Sequence, residues 1–191
     1  MRRRQVLAVG SSLATLMAAR QAVASGIAAD GGLSRLRQSP EGKAIPEGLV
    51  FLDADGAETR FDAFRGKGLV VNFWATWCPP CVAEMPALDR AHAALATDRI
   101  EVLALSSDRG GKAQVAPFYA RTAVRNLAIW LDPRGAAGRA FGVRGLPTTL
   151  VLDRNGREVA RMEGEAEWDR PEILAAIRRL VGDAVPTTTQ S

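Results

Sequence analysis

An α/β sandwich with a mixed central sheet is the fold class that this 191-residue chain predicts. Three observations lead there. Apolar runs of strand length alternate with segments whose apolar residues recur at helical spacing. The final stretch instead reads strand, turn, strand, helix, which makes the sheet mixed rather than purely parallel. The third observation is chemical: the only two cysteines, Cys78 and Cys81, sit together where an apolar run gives way to an amphipathic one.

Taken in order, the chain opens with a basic stretch, Met1-Arg-Arg-Arg4, an apolar run from Val6 to Ala18, and the small-residue site Ala22-Val23-Ala24. That is the pattern of a cleaved export signal over residues 1–24; Arg3-Arg4 suits the twin-arginine type, and an ordinary secretory signal carrying three arginines fits the same residues. The apolar run falls short of the roughly 20 residues a membrane-spanning helix needs. Residues 25–46 are rich in Gly, Ala and polar side chains and read as a tether, with one helical turn at Leu33–Leu36. The folded domain is expected over 47–182. Leu49–Leu52 and Glu58–Phe61 form a hairpin turning at Asp55-Gly56. A short turn at Phe61–Phe64 leads to the buried strand Gly68–Ala75 and the helix Val82–Ala96, whose stripe is Met85, Leu88, Ala91 and Leu95. A strand at Ile100–Leu105, a helix at Lys112–Thr122, a strand at Leu127–Leu131 and a short helix at Ala136–Phe141 follow. A strand ending at Leu152 turns at Asn155-Gly156, a type I′ signal, into the strand Glu158–Met162. The amphipathic helix Pro171–Val181 closes the domain, and 183–191 is expected to be disordered.

The cysteine pair is the chemical signal. A C-x-x-C at a strand-to-helix junction points to a redox-active dithiol. Unpaired amides and the macrodipole at a helix N-terminus stabilise a thiolate there. Pro79 disfavours helical geometry at Cys78 and so suits it to the N-cap, and Pro79 and Pro80 fall in the first turn. Pro80 has no N–H, which leaves the amides of Cys81 and Val82 within reach of the Cys78 sulfur. A thiolate with fewer donors is less stabilised, which biases the pair toward reducing others.

Composition excludes several function classes. Lys and Arg number 25 against 21 Asp and Glu, but Arg2, Arg3, Arg4 and Arg20 belong to the leader. The remainder is balanced, so the basic excess gives no argument for a nucleic-acid partner. A zinc site lacks four ligands, and the single histidine, His92, lies about 16 Å along the helix from Cys81. Val82 stands where haem attachment would need histidine. Trp77 is expected at the exposed rim of the motif, with Trp74, Trp130 and Trp168 as packing residues. Asp153–Gly156 reads as a turn rather than a calcium loop.

Together, Asn72-Phe-Trp-Ala-Thr-Trp-Cys-Pro-Pro-Cys81, Glu84-Met-Pro86, Gly142-Val-Arg-Gly-Leu-Pro-Thr148 and Gly164-Glu-Ala-Glu-Trp-Asp169 resemble the thioredoxin superfamily, more narrowly its exported TlpA/ResA branch, from about Leu49 to Val181. The resemblance implies a thioredoxin-like three-layer sandwich: a five-stranded core with helices on both faces, an N-terminal β-hairpin, and a helix-strand insert at Lys112–Pro133. It implies that Cys78 is the attacking thiolate and Cys81 the resolving thiol. Pro147 is expected to be cis, leaving the Leu146 backbone to pair with a client peptide, with Trp77, Pro79 and Pro80 also at the client surface. Thioredoxin's buried acid falls here at Asn72, which cannot take a proton, and the branch offers Glu84 as proton carrier for Cys81; a solvated first-turn acid is the plainer alternative.

The expected activity is a periplasmic protein-disulfide reductase acting as a monomer. Its only redox group is the dithiol, with no metal or other cofactor. The family implies clients such as the haem-binding cysteines of apocytochromes c or copper-site assembly proteins, and a membrane-embedded thiol electron donor. Two other readings use the same cysteines: a Cu(I)-binding dithiol module and a disulfide-forming oxidant.

Overall fold

A computed structural model describes residues 29–182. Eight strands and four α-helices follow in the order β1 (Arg37–Ala44), β2 (Val50–Leu52), β3 (Glu58–Arg60), β4 (Gly68–Trp74), α1 (Pro79–Leu95), β5 (Ile100–Ser106), α2 (Lys112–Thr122), β6 (Trp130–Leu131), α3 (Ala136–Ala140), β7 (Thr148–Leu152), β8 (Arg157–Glu163) and α4 (Pro171–Val181). Single turns of 3-10 helix at Leu33–Arg35 and Phe61–Phe64 match the expected local turns. All strands join one mixed sheet, ordered β1-β8-β7-β4-β5-β6-β2-β3. β4 lies between parallel β5 and antiparallel β7.

β4 is buried along its whole length, Gly-Leu-Val-Val-Asn-Phe-Trp, as expected of a strand covered on both faces. Its alternation decides what each face meets. Leu69, Val71 and Phe73 pack with Phe51, Phe61 and Phe141 on one side. Val70 and Trp74 pack on the other with Met85, Leu88 and Leu95 of α1 and Ile173 and Ile177 of α4. Asn72 shares the second face, so its amide is aimed at α1.

The tether expected over 25–46 is instead structured from its middle onward. β1 pairs antiparallel with β8, Arg37 opposite Arg161 and Ala44 opposite Arg157, with an irregularity between Gln38 and Lys43. Arg37-Gln-Ser-Pro-Glu-Gly-Lys-Ala has no apolar alternation, and Pro and Gly count against a strand. What recruits it is the free edge of β8, whose backbone groups would otherwise be unpaired. Leu36 buries itself in the main core beside it. The hairpin β2-β3 likewise belongs to the same sheet, joined through Leu52 and Leu131, so the expected five-stranded core and hairpin, with β1 added, form one continuous sheet of eight strands. The leader and the tail at 183–191 lie outside the described residues.

Two further elements differ from their sequence pattern. β6 shrinks to two residues because the Asp89 carboxylate of α1 accepts the amides of Arg125, Asn126 and Leu127 at 2.7–3.0 Å, drawing that backbone away from the ladder. At Asn155-Gly156 only Gly156 has positive φ, +75°, whereas a type I′ turn needs it at both positions. Asp153 closes this turn from outside: its Oδ1 accepts the amides of Asn155 and Arg157 at 2.9 and 2.8 Å. Asp53 does the same for Asp55 and Ala57 in the first hairpin.

Candidate active site

Cys78 and Cys81 are joined as a disulfide, Cα atoms 5.3 Å apart, at the start of α1. Cys78 is the N-cap in extended conformation, and Pro79 and Pro80 occupy the first turn. One donor is fewer than the sequence suggests. The Val82 amide is committed to the Cys78 carbonyl at 3.0 Å, which leaves the Cys81 amide as the one first-turn N–H without a backbone acceptor. Helix geometry makes this unavoidable, since the fifth residue's amide closes the first turn.

The two cysteines differ in access. Cys81 has no exposed surface and Cys78 keeps 5%, so the accessible sulfur that the sequence leads one to expect is recessed in the oxidised state. Cys78 lies in a groove of about 580 Å³ walled by Phe73, Trp77, Pro79, Pro80, Val143 and Leu146. Trp77 stands out from the wall at 67% exposure. Across the groove the Leu146–Pro147 bond is cis. Pro147 is buried and outside the groove lining, so of that pair Leu146 alone offers a surface. Among the described residues, neither the amide nor the carbonyl of Leu146 takes part in a backbone hydrogen bond.

The turn carrying Cys78 is held from behind by Asp108, a residue that sequence reasoning passed over. Its Oδ2 accepts the Thr76 amide at 2.9 Å and the Ser106 hydroxyl at 2.8 Å, and its Oδ1 accepts the Thr76 hydroxyl at 2.7 Å. Asp108 has no exposed surface. The signal was present: Ser106-Ser107-Asp108 is a polar cluster at the end of an apolar strand that neighbours the motif strand.

Glu84, one turn beyond Cys81, is 3% exposed and is therefore no solvated first-turn acid. Its Oε1 accepts from Asn72 Nδ2 at 2.8 Å; its Oε2 accepts from the Trp168 indole at 2.8 Å and the Ala166 amide at 3.1 Å. Burial pushes its carboxyl up to about 7, against the pull of the Trp168, Asn72 and Ala166 hydrogen bonds and with help from the Glu165 charge. Asn72 also donates to Thr149 Oγ1 at 2.9 Å, and its own Oδ1 is buried without a partner. Trp168 thus packs, as expected, and also donates, which its sequence context did not reveal. Glu84 also belongs to the lining of a separate cleft with Ala83, Arg90, Glu165 and Arg170. The segment expected as a tether steadies this loop: Gly31 accepts the Glu167 amide at 3.0 Å, Arg170 donates to the Ala29 carbonyl at 3.0 Å, and Arg35 donates to the Glu165 carbonyl.

The remaining candidates sit apart. His92 accepts the Val102 amide at 3.3 Å through Nδ1 and lies 3.9 Å from Glu101, a helix-edge role. Trp74 is buried and stacks on Tyr119, and Trp130 packs edge-on against Phe51.

Comparison with known proteins points the same way as this geometry. Residues 40–177 match the family model described as Redoxin. The thiol-disulfide oxidoreductase ResA of Bacillus cereus is 30% identical over 142 residues, 74% of this chain and 80% of that protein. ResA of Bacillus thuringiensis is 32% identical over 69% of this chain and 74% of its own. Among solved structures, a protein assigned as thiol:disulfide interchange protein DsbE from Chlorobium tepidum superposes with a TM-score of 0.60 at 26% identity, covering 73% of this chain and 94% of that one. The exposed lipoprotein thioredoxin Etrx1 of Streptococcus pneumoniae gives 0.58 at 29% identity, over 69% and 98%.

Proposed function

Because the chain belongs to the redoxin family, as a ResA-like thiol–disulfide oxidoreductase of thioredoxin-like fold, we propose that it runs in the reducing direction on exported client proteins. The observation that carries the reading is the asymmetry of the pair: Cys78 borders an open groove and Cys81 is sealed beneath it. In the reduced protein the Cys78 thiolate attacks one sulfur of a client disulfide. That S–S bond breaks, a mixed disulfide forms, and the released client thiolate takes a proton. Cys81 then gives up its proton and attacks the Cys78 sulfur, expelling the second client thiol. Two electrons pass to the client, and the protein is left with the Cys78–Cys81 disulfide.

Glu84 is the acceptor for the Cys81 proton in this scheme. It sits one helical turn on, with a carboxyl pushed up to about 7 by burial, close to working pH as an acid–base group requires. The free backbone groups of Leu146 pair with an extended client segment, and Trp77, Pro79 and Pro80 border it. The dithiol is the only redox group, and a membrane-embedded thiol donor restores it. The setting is the periplasm, and the clients are cysteine pairs of the kind found in apocytochromes c or copper-site assembly proteins, as the family resemblance implies. What supports the reducing direction is that one first-turn amide is left to stabilise the Cys78 thiolate. Among the described residues no helix is long and apolar enough to cross a membrane.

The test is a trap. Cys81→Ser in the native organism should accumulate mixed disulfides on Cys78, and mass spectrometry identifies what is caught. Absence of any adduct, with Cys78 of the reduced variant reactive toward a small alkylating agent, rejects the exchange mechanism.

A further inference from the structure

The groove over the disulfide carries charge of one sign. Two guanidinium groups stand on its rim, Arg139 of α3 and Arg144 of the loop before Leu146, and no carboxylate lines it. Both arginines are exposed. One acid touches this rim from outside: Glu163 is 3.4 Å from Arg144 and 3.6 Å from Arg37. Shared between two arginines, it offsets no more than one of them. Arg139 forms no ion pair among the described residues; its Nη1 donates instead to the Arg134 carbonyl at 2.7 Å, which steadies the side chain and leaves its charge whole.

Two further acids lie behind the floor, buried and turned to neutral donors of the fold rather than to the rim. Asp108 is held by Thr76 and Ser106. Asp132 accepts the amides of Ala136 and Gly138 at 2.8 and 2.9 Å. Neither lines the groove. The local excess is not inherited from a basic protein either, since the chain beyond its first 24 residues has equal numbers of acidic and basic side chains.

We infer that the groove selects client segments that carry an acidic side chain close to the reactive cysteine. An extended segment paired to Leu146 lays apolar side chains against Trp77, Val143 and Leu146, and an Asp or Glu nearby reaches Arg139 or Arg144. Basic segments meet the like charge of Arg139 and Arg144 on the exposed rim, and such juxtaposition is how interfaces reject partners. This deepens the exchange reading above and rests on it: the chemistry is the same, and the rim chooses the client.

Three synthetic peptides separate the two claims. Each carries one Cys-Ala-Ala-Cys disulfide flanked by Glu, Gln or Lys. Single-turnover oxidation of the reduced full chain is followed by rapid alkylation quench. At low ionic strength the Glu peptide should oxidise the protein about threefold to tenfold faster than the Lys peptide, the Gln peptide falling between them. Raising salt to about 0.5 M should collapse the spread, because exposed charges are screened. The double variant Arg139→Glu, Arg144→Glu should reverse the order. Equal rates for the three peptides, or an order that the double variant leaves unchanged, overturns the inference while leaving exchange intact. If no peptide oxidises the protein, the exchange reading itself fails.

Discussion

Replacing Glu84 by Gln tests whether this carboxyl is held in the fold at the expense of its charge. The ordinary glutamate value is 4.5 and burial raises it to about 7 here. A carboxyl raised in the folded state contributes fully below its unfolded value, and that contribution is lost as pH rises through the folded one. The shift spans about 2.5 units at 1.36 kcal/mol each, so ionising Glu84 costs the native state about 3 kcal/mol between pH 4 and pH 8. Gln has nearly the same shape and no charge. Its carbonyl can accept from Trp168 and Ala166, and its amide can donate to the Asn72 oxygen, now without a partner, once the Asn72 amide rotates. Urea unfolding of the oxidised wild type and of Glu84→Gln at both pH values gives the comparison, with no cysteine titrating. The variant should gain on the wild type by about 3 kcal/mol from pH 4 to pH 8, whatever constant offset the substitution brings. A difference that does not change with pH refutes the reasoning.

Three other predictions follow from buried polar groups. Asp89→Ala strands three backbone amides and the Asn126 side chain, so denaturant unfolding at pH 7 should show a loss of about 2–4 kcal/mol. Burial works to raise the Asp89 carboxyl, but its hydrogen bonds outweigh that and lower it; the gap between wild type and variant should therefore narrow as pH falls below about 4. Asp108→Ala frees Thr76 and Ser106 and should cost a similar 2–4 kcal/mol, with slower alkylation of Cys78 in the reduced protein as the turn loses its anchor. Tyr119 has a buried hydroxyl without a partner, so Tyr119→Phe should be neutral or raise stability by about 1 kcal/mol in the same assay.

Local signals carried most of what could be read from the chain. β4 and α1 were legible because their periodicity is contained in one segment, and the cysteine pair because its meaning depends on the junction it occupies. Lost to sequence reading was whatever depends on a distant partner. β1 is a strand because β8 needs one, and nothing in Arg37–Ala44 says so. Trp168 looks like any packing tryptophan until its indole meets Glu84, 84 residues away. Asp89 shortens β6 through a contact to a residue 37 positions away. At Asn155-Gly156 the local signal was right about the hairpin and wrong about the turn, since Asp153 supplies hydrogen bonds that make a second positive φ unnecessary. The buried environment of Glu84 follows from Asn72 facing α1, which alternation along β4 implies; the indole that completes it does not.

A redox equilibrium with glutathione, read by alkylation of Cys78 and Cys81, tests most directly whether a thiolate left with one first-turn amide makes the pair a reductant. The predicted potential lies near that of thioredoxin, about −270 mV. A value near about −120 mV, that of strong disulfide-forming oxidants, contradicts it and makes the protein a donor of disulfides instead.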